Sequence, residues 1–387
     1  VNAHGVYDEN EEARLVGERI ASQVSIKARE YDDFAILYRT NALSYALERV
    51  FLQLRIPYQI VGGVRFYDRK EIKDIVAYLR LIYQPNDRMS FSRIANVPTR
   101  GVGATSLEKF LNWQSNQALD IITALERVGD AGVVTGKAKQ ALGSLGVILR
   151  RVSEMVETAT PVEIIEAIIA DTGYRAFIND GTPQAEDREE NLGSLLSDAQ
   201  NFAALPDFLE EVALMSSVDS ASTGQKVTLM TLHAAKGLEF PVVFMIGMEE
   251  GIMPHSRVFE SPTELEEERR LCYVGMTRAR EELHLTYTYS RLQFGQRGYN
   301  PTSRFIADMG DGLSTSDSHP SFLGQRQVAE DEPFYSDELG FDVGDQVTSS
   351  VFGDGEIIDI DGMAVTVAFL SGQTKKLNAE FARLQKR

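Results

Sequence analysis

The sequence has 387 residues, 43% of them hydrophobic and 25% charged, a globular composition too long for one core, so two or three domains are expected. Its 57 acidic and 39 basic residues leave a net charge of −18, which excludes a uniformly basic nucleic-acid binder but not a locally positive groove. One cysteine excludes an internal disulfide and points to a reducing compartment, the cytoplasm; the longest apolar runs are far too short for a bilayer, and the polar, acidic start has no signal-peptide pattern.

In chain order, residues 11–24 (EEARLVGERIASQV) have helical periodicity, and FAILY at residues 34–38 is a short, continuous apolar run expected to form a buried strand. SYALERVFLQL at residues 44–54 is a helix with Ser44 as its expected N-cap. PYQIVGG is a second strand closed by a Gly-Gly turn, and residues 68–83 form a charged helix in which Lys70 and Asp74 are spaced to attract. Strands and helices alternating at this length indicate a parallel α/β sheet. From about residue 86 to 222 the periodicity is helical nearly throughout. The α/β texture returns with VTLMT at residues 227–231, VVFMIGM at 242–248, a helix over 264–280 and a strand over 282–289. An all-α block between two α/β blocks reads as an inserted domain. The expected division is 1–84 and 224–308 for a discontinuous α/β domain, 85–223 for the all-α insertion and 309–343 for an acidic, solvated linker. Residues 344–387 remain for a small β-barrel built on the turns FGDG, DG and SG.

Two runs carry the chemistry. VTLMTLHAAKGLEFPVVF (residues 227–244) and LEEERRLCYVGMTRARE (residues 265–281) resemble motifs V and VI of the UvrD/PcrA/Rep group of superfamily 1 DNA helicases. AILYRTNALSYALE, GGVRFYDRKEIKDIVAYLRL and VPTRGVGATSL extend the resemblance from about residue 11 to the C-terminus. It implies a RecA-like domain 2A interrupted by an all-α domain 2B, with a terminal SH3- or Tudor-like barrel, as parts of an ATP-dependent 3′-to-5′ helicase of DNA repair.

By the same resemblance Arg278 is an arginine finger toward the γ-phosphate of ATP. A guanidinium is always charged and grips phosphate oxygens through two donors. Glu239 is the ribose ligand, and Gly237 permits close backbone approach. His233, Thr231 and Lys236 are placed on the track of single-stranded DNA, as are Arg39 and Asn41. Tyr45 stands where the family commonly has Arg, so that contact is lost or replaced by stacking. Gly101 and Gly103, with Arg100 as the local positive charge, resemble a loop that offers backbone N–H groups to duplex phosphates. Taken alone, that G-x-G is an ordinary turn with Thr105 capping the next helix, and His233 is a satisfied histidine at a buried corner.

No G-x-x-x-x-G-K-[ST] occurs in the sequence; GVVTGKAK has the wrong loop length. No acidic strand-end motif is placed to hold Mg²⁺, and the five histidines show no zinc spacing. The phosphate loop and the Mg²⁺ ligands are therefore expected on N-terminal helicase domains outside this chain, whose start on Val rather than Met fits a piece of something longer. Alone the chain is expected not to hydrolyse ATP. The expected partners are single-stranded DNA and single-strand/duplex junctions, those N-terminal domains, and RNA polymerase through the terminal barrel, where Lys375 and Lys376 lie. The competing reading is a free-standing, non-catalytic protein that binds DNA or a polymerase. The acidic charge favours it, and the retention of Arg278 and Glu239, useful only beside ATP, disfavours it.

Overall fold

Seven parallel strands form the sheet that organises the N-terminal part of the chain. A computed structural model describes residues 1–182, 184–217, 224–259, 261–293, 296–310, 313–317, 345–349, 353–361, 364–369, 374–378 and 385–386. The contacts divide into one unit over residues 1–320 and another over 321–387.

In the first unit the sheet strands are β1 (Asn2–Val6), β2 (Phe34–Tyr38), β3 (Tyr58–Val61), β4 (Val227–Thr231), β5 (Phe240–Met245) and β6 (Ala279–Thr288); β7 (Arg291–Gln293) and β8 (Gln296–Gly298) pair apart from it, and β9 (Ser314–Asp317) joins it late. Their order across the sheet is β3-β4-β2-β5-β6-β1-β9, and every pairing is parallel. The central strands are apolar on both sides, as a sheet covered on both faces requires. Ala35, Leu37, Met230, Val243, Met245, Leu283 and Leu285 face one core, and Phe34, Ile36, Tyr38, Leu229, Val242 and Phe244 face the other. The second face is covered by α1 (Glu9–Ser25) and α2 (Ser44–Gln53). Asp8 starts α1 by accepting from the N–H groups of Asn10 and Glu11.

The insertion consists of α3 (Lys70–Tyr83), α4 (Arg88–Ile94), α5 (Ala104–Asn116), α6 (Ile121–Glu126), α7 (Gly136–Glu154), α8 (Pro161–Thr172), α9 (Tyr174–Ile178), α10 (Ala185–Ala199) and α11 (Leu205–Ser217). The sequence drew the seam after residue 84, but α3 belongs with the helices: Ile72, Ile75, Tyr78, Leu79 and Leu81 are buried in their core. Helix α8 shows why these stretches are helical. Thr160 and Glu163 form a capping box, Pro161 opens the helix, and Gly173 closes it at φ 68°.

Several local expectations change. The chain opens on β1, which the helical reading of the start missed. Ser44 does not cap α2; Leu43 holds that position and the Ser44 hydroxyl donates to Glu48 at 2.6 Å. Lys70 and Asp74 do not pair: Lys73 takes Asp68 at 2.6 Å and Arg93 takes Asp74 at 2.7 Å. Residues 314–317, expected in the linker, pair with β1, while the acidic stretch 318–344 lies outside the described residues.

In the second unit, β10 (Gln346–Ser349), β11 (Gly353–Asp361), β12 (Ala364–Phe369), β13 (Thr374–Asn378) and β14 (Gln385–Lys386) form an antiparallel sheet in the order β13-β12-β11-β10-β14. Gly353 and Gly355 lie within β11 rather than in a turn. A Cβ at Gly355 would sit 2.7 Å from Val367 Cγ1 and 2.8 Å from the Ala368 carbonyl, so the cross-strand approach requires glycine. The turns expected at DG and SG extend into residues 362–363 and 370–373, outside the described residues. Among the described residues no helix is long and apolar enough to cross a membrane.

Candidate functional site

Except for Arg100, Gly101 and Gly103 in the helical insertion, the sequence-selected residues collect at the two opposite edges of the parallel sheet, and two connectors join those edges. The first connector is residues 232–239, which run from the carboxyl end of β4 to the amino end of β5, with β2 between these strands. The second is α12 (Pro262–Met276), the crossover from β5 to β6, which starts on the carboxyl side and ends on the amino side. Ser261 caps α12 by accepting from the Glu264 N–H, and Pro262 sits at its first position.

At the amino edge, Arg278 lies in the turn between α12 and β6, two residues past the helix end expected to carry it. Its Nε donates to the Val274 carbonyl at 2.9 Å, Nη1 to the Leu238 carbonyl at 2.8 Å and Nη2 to the Thr277 hydroxyl at 3.0 Å. The Phe240 N–H returns a bond to the Arg278 carbonyl at 2.9 Å. These bonds lock the end of one connector to the end of the other. A guanidinium has five N–H groups, so each terminal nitrogen keeps a second donor. Glu239 is exposed, and its carboxylate lies 3.9 Å from the half-exposed Arg280. Gly237 has φ +88°, and a Cβ there would have nothing within 4 Å. Open space, an exposed carboxylate and a cation with spare donors fit a nucleotide's ribose and terminal phosphate. Among the described residues no group of His, Cys, Asp and Glu is arranged to hold a metal ion.

At the carboxyl edge, Thr231 ends β4, and its hydroxyl accepts from the Ala234 N–H at 3.3 Å. His233 and Lys236 are exposed while Leu232 and Ala235 face the core, so the first connector shows its polar side outward. His233 is thus not the buried-corner histidine the sequence allowed. Desolvation by its surroundings lowers its pKa below the ordinary histidine value; Arg39 adds to the effect and Glu268 opposes it. Arg39, just beyond β2, does not project outward. Its Nε and Nη2 hold both carboxylate oxygens of Glu268 at 2.9–3.0 Å, with the two side chains only 11% and 7% exposed. Asn41 accepts from the buried Arg69 through its backbone carbonyl at 2.8 Å. Tyr45 packs on Phe66, ring centroids 4.2 Å apart, and lines a cavity of about 440 Å³ beside Arg49, Glu190 and Asp198. Its ring neighbour, tilted by 41°, is therefore in its own chain.

The Arg100 guanidinium turns inward to the Ile94 and Val97 carbonyls, at 2.9 and 2.8 Å, and to the Tyr78 hydroxyl at 2.6 Å. What faces solvent is the backbone around it. Gly101 is exposed at φ +80°, Val102 anchors the loop in the core, and exposed Gly103 is the N-cap of α5 with no side-chain cap bond. Thr105 is inside the helix and does not cap it. The Arg100 and Val102 N–H groups donate to Asn96 Oδ1 at 2.8 and 3.1 Å, so what the loop turns to solvent is the backbone of Gly101 and Gly103 rather than a positive side chain.

Sequence reasoning missed Glu268. The signal was present: Glu268, Cys272 and Gly275 recur at helical spacing and form the buried stripe of α12, so an acid on that stripe needs a buried partner. Gly275 is a second point where the connectors meet. A Cβ there would lie 2.4 Å from Leu232 Cδ2 and 3.0 Å from Met245 Cε.

Comparison with known proteins identifies the family of the chain. The profile of the UvrD-like helicase C-terminal domain matches residues 1–128 and 148–290, including both edges and both connectors. The ATP-dependent DNA helicase PcrA of Bacillus subtilis is 40% identical over 408 residues, covering 97% of this chain and 55% of that protein. Proteins of the same name are 35% identical in Staphylococcus aureus (98% of this chain, 55% of that protein) and 37% identical in Leuconostoc citreum (98% and 56%). The chain therefore spans little more than half the length of the curated relatives it matches.

Proposed function

The chain belongs to the UvrD-like helicase family, and on that premise we propose that it is the C-terminal half of an ATP-dependent 3′-to-5′ DNA helicase of DNA repair, supplying one wall of the ATP site and part of the DNA track. The observation that supports the reading is the bond from Arg278 to the Leu238 carbonyl at the amino edge of the sheet, one residue before Glu239, whose carboxylate lies 3.9 Å from Arg280. ATP with Mg²⁺, held by a phosphate loop on N-terminal helicase domains, supplies the phosphoryl group for hydrolysis. Arg278, held by its three bonds, presents its two remaining N–H groups to that phosphate and neutralises charge that builds during transfer. Glu239 accepts from the ribose hydroxyls, and the bare backbone at Gly237 admits the sugar. Thr231, His233, Lys236 and Asn41 face single-stranded DNA at the other edge. The exposed N–H groups at Gly101 and Gly103 hold duplex phosphates at a junction, with Arg100 bracing the loop from inside. The terminal sheet closes as a Tudor-like barrel that docks RNA polymerase.

In the full-length protein carrying both halves, Arg278→Ala is expected to lower kcat for DNA-stimulated ATP hydrolysis by about 10³-fold or more, the scale of an arginine finger, with single-stranded DNA affinity retained. An unchanged kcat would refute the assignment.

A further inference from the structure

We propose that the buried Arg39–Glu268 ion pair is the positioning device that transmits DNA occupancy at the Thr231–His233 edge to Arg278, so that Glu268 governs how strongly single-stranded DNA stimulates ATP hydrolysis. The proposal deepens the helicase reading and rests on it.

Three segments meet at one carboxylate. Arg39 is fixed to the end of β2 and holds both oxygens of Glu268. The His255 N–H, from the stretch that follows β5, donates to the same group at 3.2 Å. Glu268 itself is rooted in α12 and is 5% exposed. A buried pair of this geometry contributes more to fixing an arrangement than to stability, because desolvation offsets much of its attraction. The pair also faces the DNA-side edge: the charges of Arg39 and Glu268 are both felt at the His233 ring.

From Glu268 the helix is a rigid rod. Eight helical steps lead from Glu268 to the end of α12 at Met276, so at about 1.5 Å per residue the carboxyl-edge ion pair lies roughly 12 Å along the rod from the turn that carries Arg278. At Gly275 the rod touches Leu232, the residue preceding His233. A shift of residues 231–233 on binding DNA therefore meets α12 at two points, Glu268 through Arg39 and Gly275 through Leu232. Both push on the element that leads into the Arg278 turn. Coupling of this kind needs a physical element biased by both sites, and α12 is contiguous with both.

The test uses the full-length protein and a single-stranded oligodeoxynucleotide, with ATP turnover measured against DNA concentration. Glu268→Gln keeps the size of the side chain and an oxygen for the His255 N–H. It is expected to lower the DNA-saturated kcat by about tenfold, inside the ~5–150-fold range of allosteric couplings. DNA-free turnover and the half-saturating DNA concentration should stay within about twofold, the pattern of a lost transition-state interaction rather than lost binding. Arg39→Lys, which keeps the charge but loses the two-pronged grip, should give an intermediate kcat at the same half-saturating concentration.

Three results would overturn the proposal. Glu268→Gln could keep full stimulation. DNA-free and DNA-saturated rates could fall by one common factor alongside a lower melting temperature, which would make the pair a structural prop. Arg39→Lys could raise the half-saturating DNA concentration with kcat intact, which would make Arg39 a direct phosphate ligand. Absence of DNA stimulation in the unsubstituted protein would instead refute the helicase reading, and this inference with it.

Discussion

Arg291→Gln should destabilise the sheet domain more than other single substitutions of comparable size. Arg291, in β7 (Arg291–Gln293), places one guanidinium between two buried carboxylates. Its Nη2 donates to Glu12 at 2.5 Å and to Glu249 at 2.7 Å, and its Nε donates to both Glu249 oxygens at 3.1 Å. The three side chains are 4%, 2% and 0% exposed. Burial works against the cationic form, yet the two carboxylates together raise the arginine pKa above its usual value. The acids are also held by Thr286, Thr288 and the Gly247 N–H, so the cluster ties α1 to β6 and to the end of β5. Removing one partner of a buried pair costs about 3–5 kcal/mol. Taking ~2–4 °C per kcal/mol for domains of 150–250 residues, the melting temperature should fall by roughly 6–20 °C. Thermal unfolding of the 387-residue chain at neutral pH, followed by circular dichroism, reads this directly. Adding Glu249→Gln to Arg291→Gln should recover part of the loss, because it removes one unpaired charge. A single variant melting within about 2 °C of the parent would refute the reasoning.

Two further outcomes are expected. His4 and His284 are buried side by side, ring nitrogens 3.2 Å apart, and burial lowers both pKa values, that of His4 to about 4. Because the folded state resists protonation, the unfolded state binds more protons below about pH 6.5; stability present above that pH is lost as pH falls toward 4. His4→Gln should flatten the fall of melting temperature between pH 6.5 and 4 by at most about 3 kcal/mol equivalent, and an unchanged slope would exclude the pair as its source. Gly275→Val should cost about 1–3 kcal/mol by overpacking Leu232 and Met245 and should impair DNA-stimulated turnover in the full-length protein; a variant of parental stability would show that α12 has room to shift there.

How much of this was legible depends on the residue. FAILY, VTLMT and VVFM were readable as strands because parallel strands covered on both faces carry unbroken apolar runs. β1 and β9 were not, since NAHGV and STSD lack such runs and are strands only because β6 offers an edge to β1 and β1 to β9. The helical stretch was readable by period, but not that α3 packs with it, because periodicity says which face is buried and not against what. Arg278 and Glu239 were visible through their motifs. Their place at the edge opposite Thr231 and His233 was not, since strand order is a tertiary fact. At Arg39 and Arg100 the direction of the side chain was not legible. A positive charge in a motif reads as a ligand contact, yet both guanidinium groups turn inward, onto Glu268 and onto backbone carbonyls.

The central claim is that this chain supplies the closing wall of an ATP site whose phosphate loop lies on another domain. The most direct test measures ATP hydrolysis by the purified 387-residue chain, with and without single-stranded DNA, then repeats it with the chain joined to its phosphate-loop half. The expected result is no turnover above background for the chain alone and DNA-stimulated turnover for the joined protein. DNA-stimulated hydrolysis by the chain alone would contradict the account.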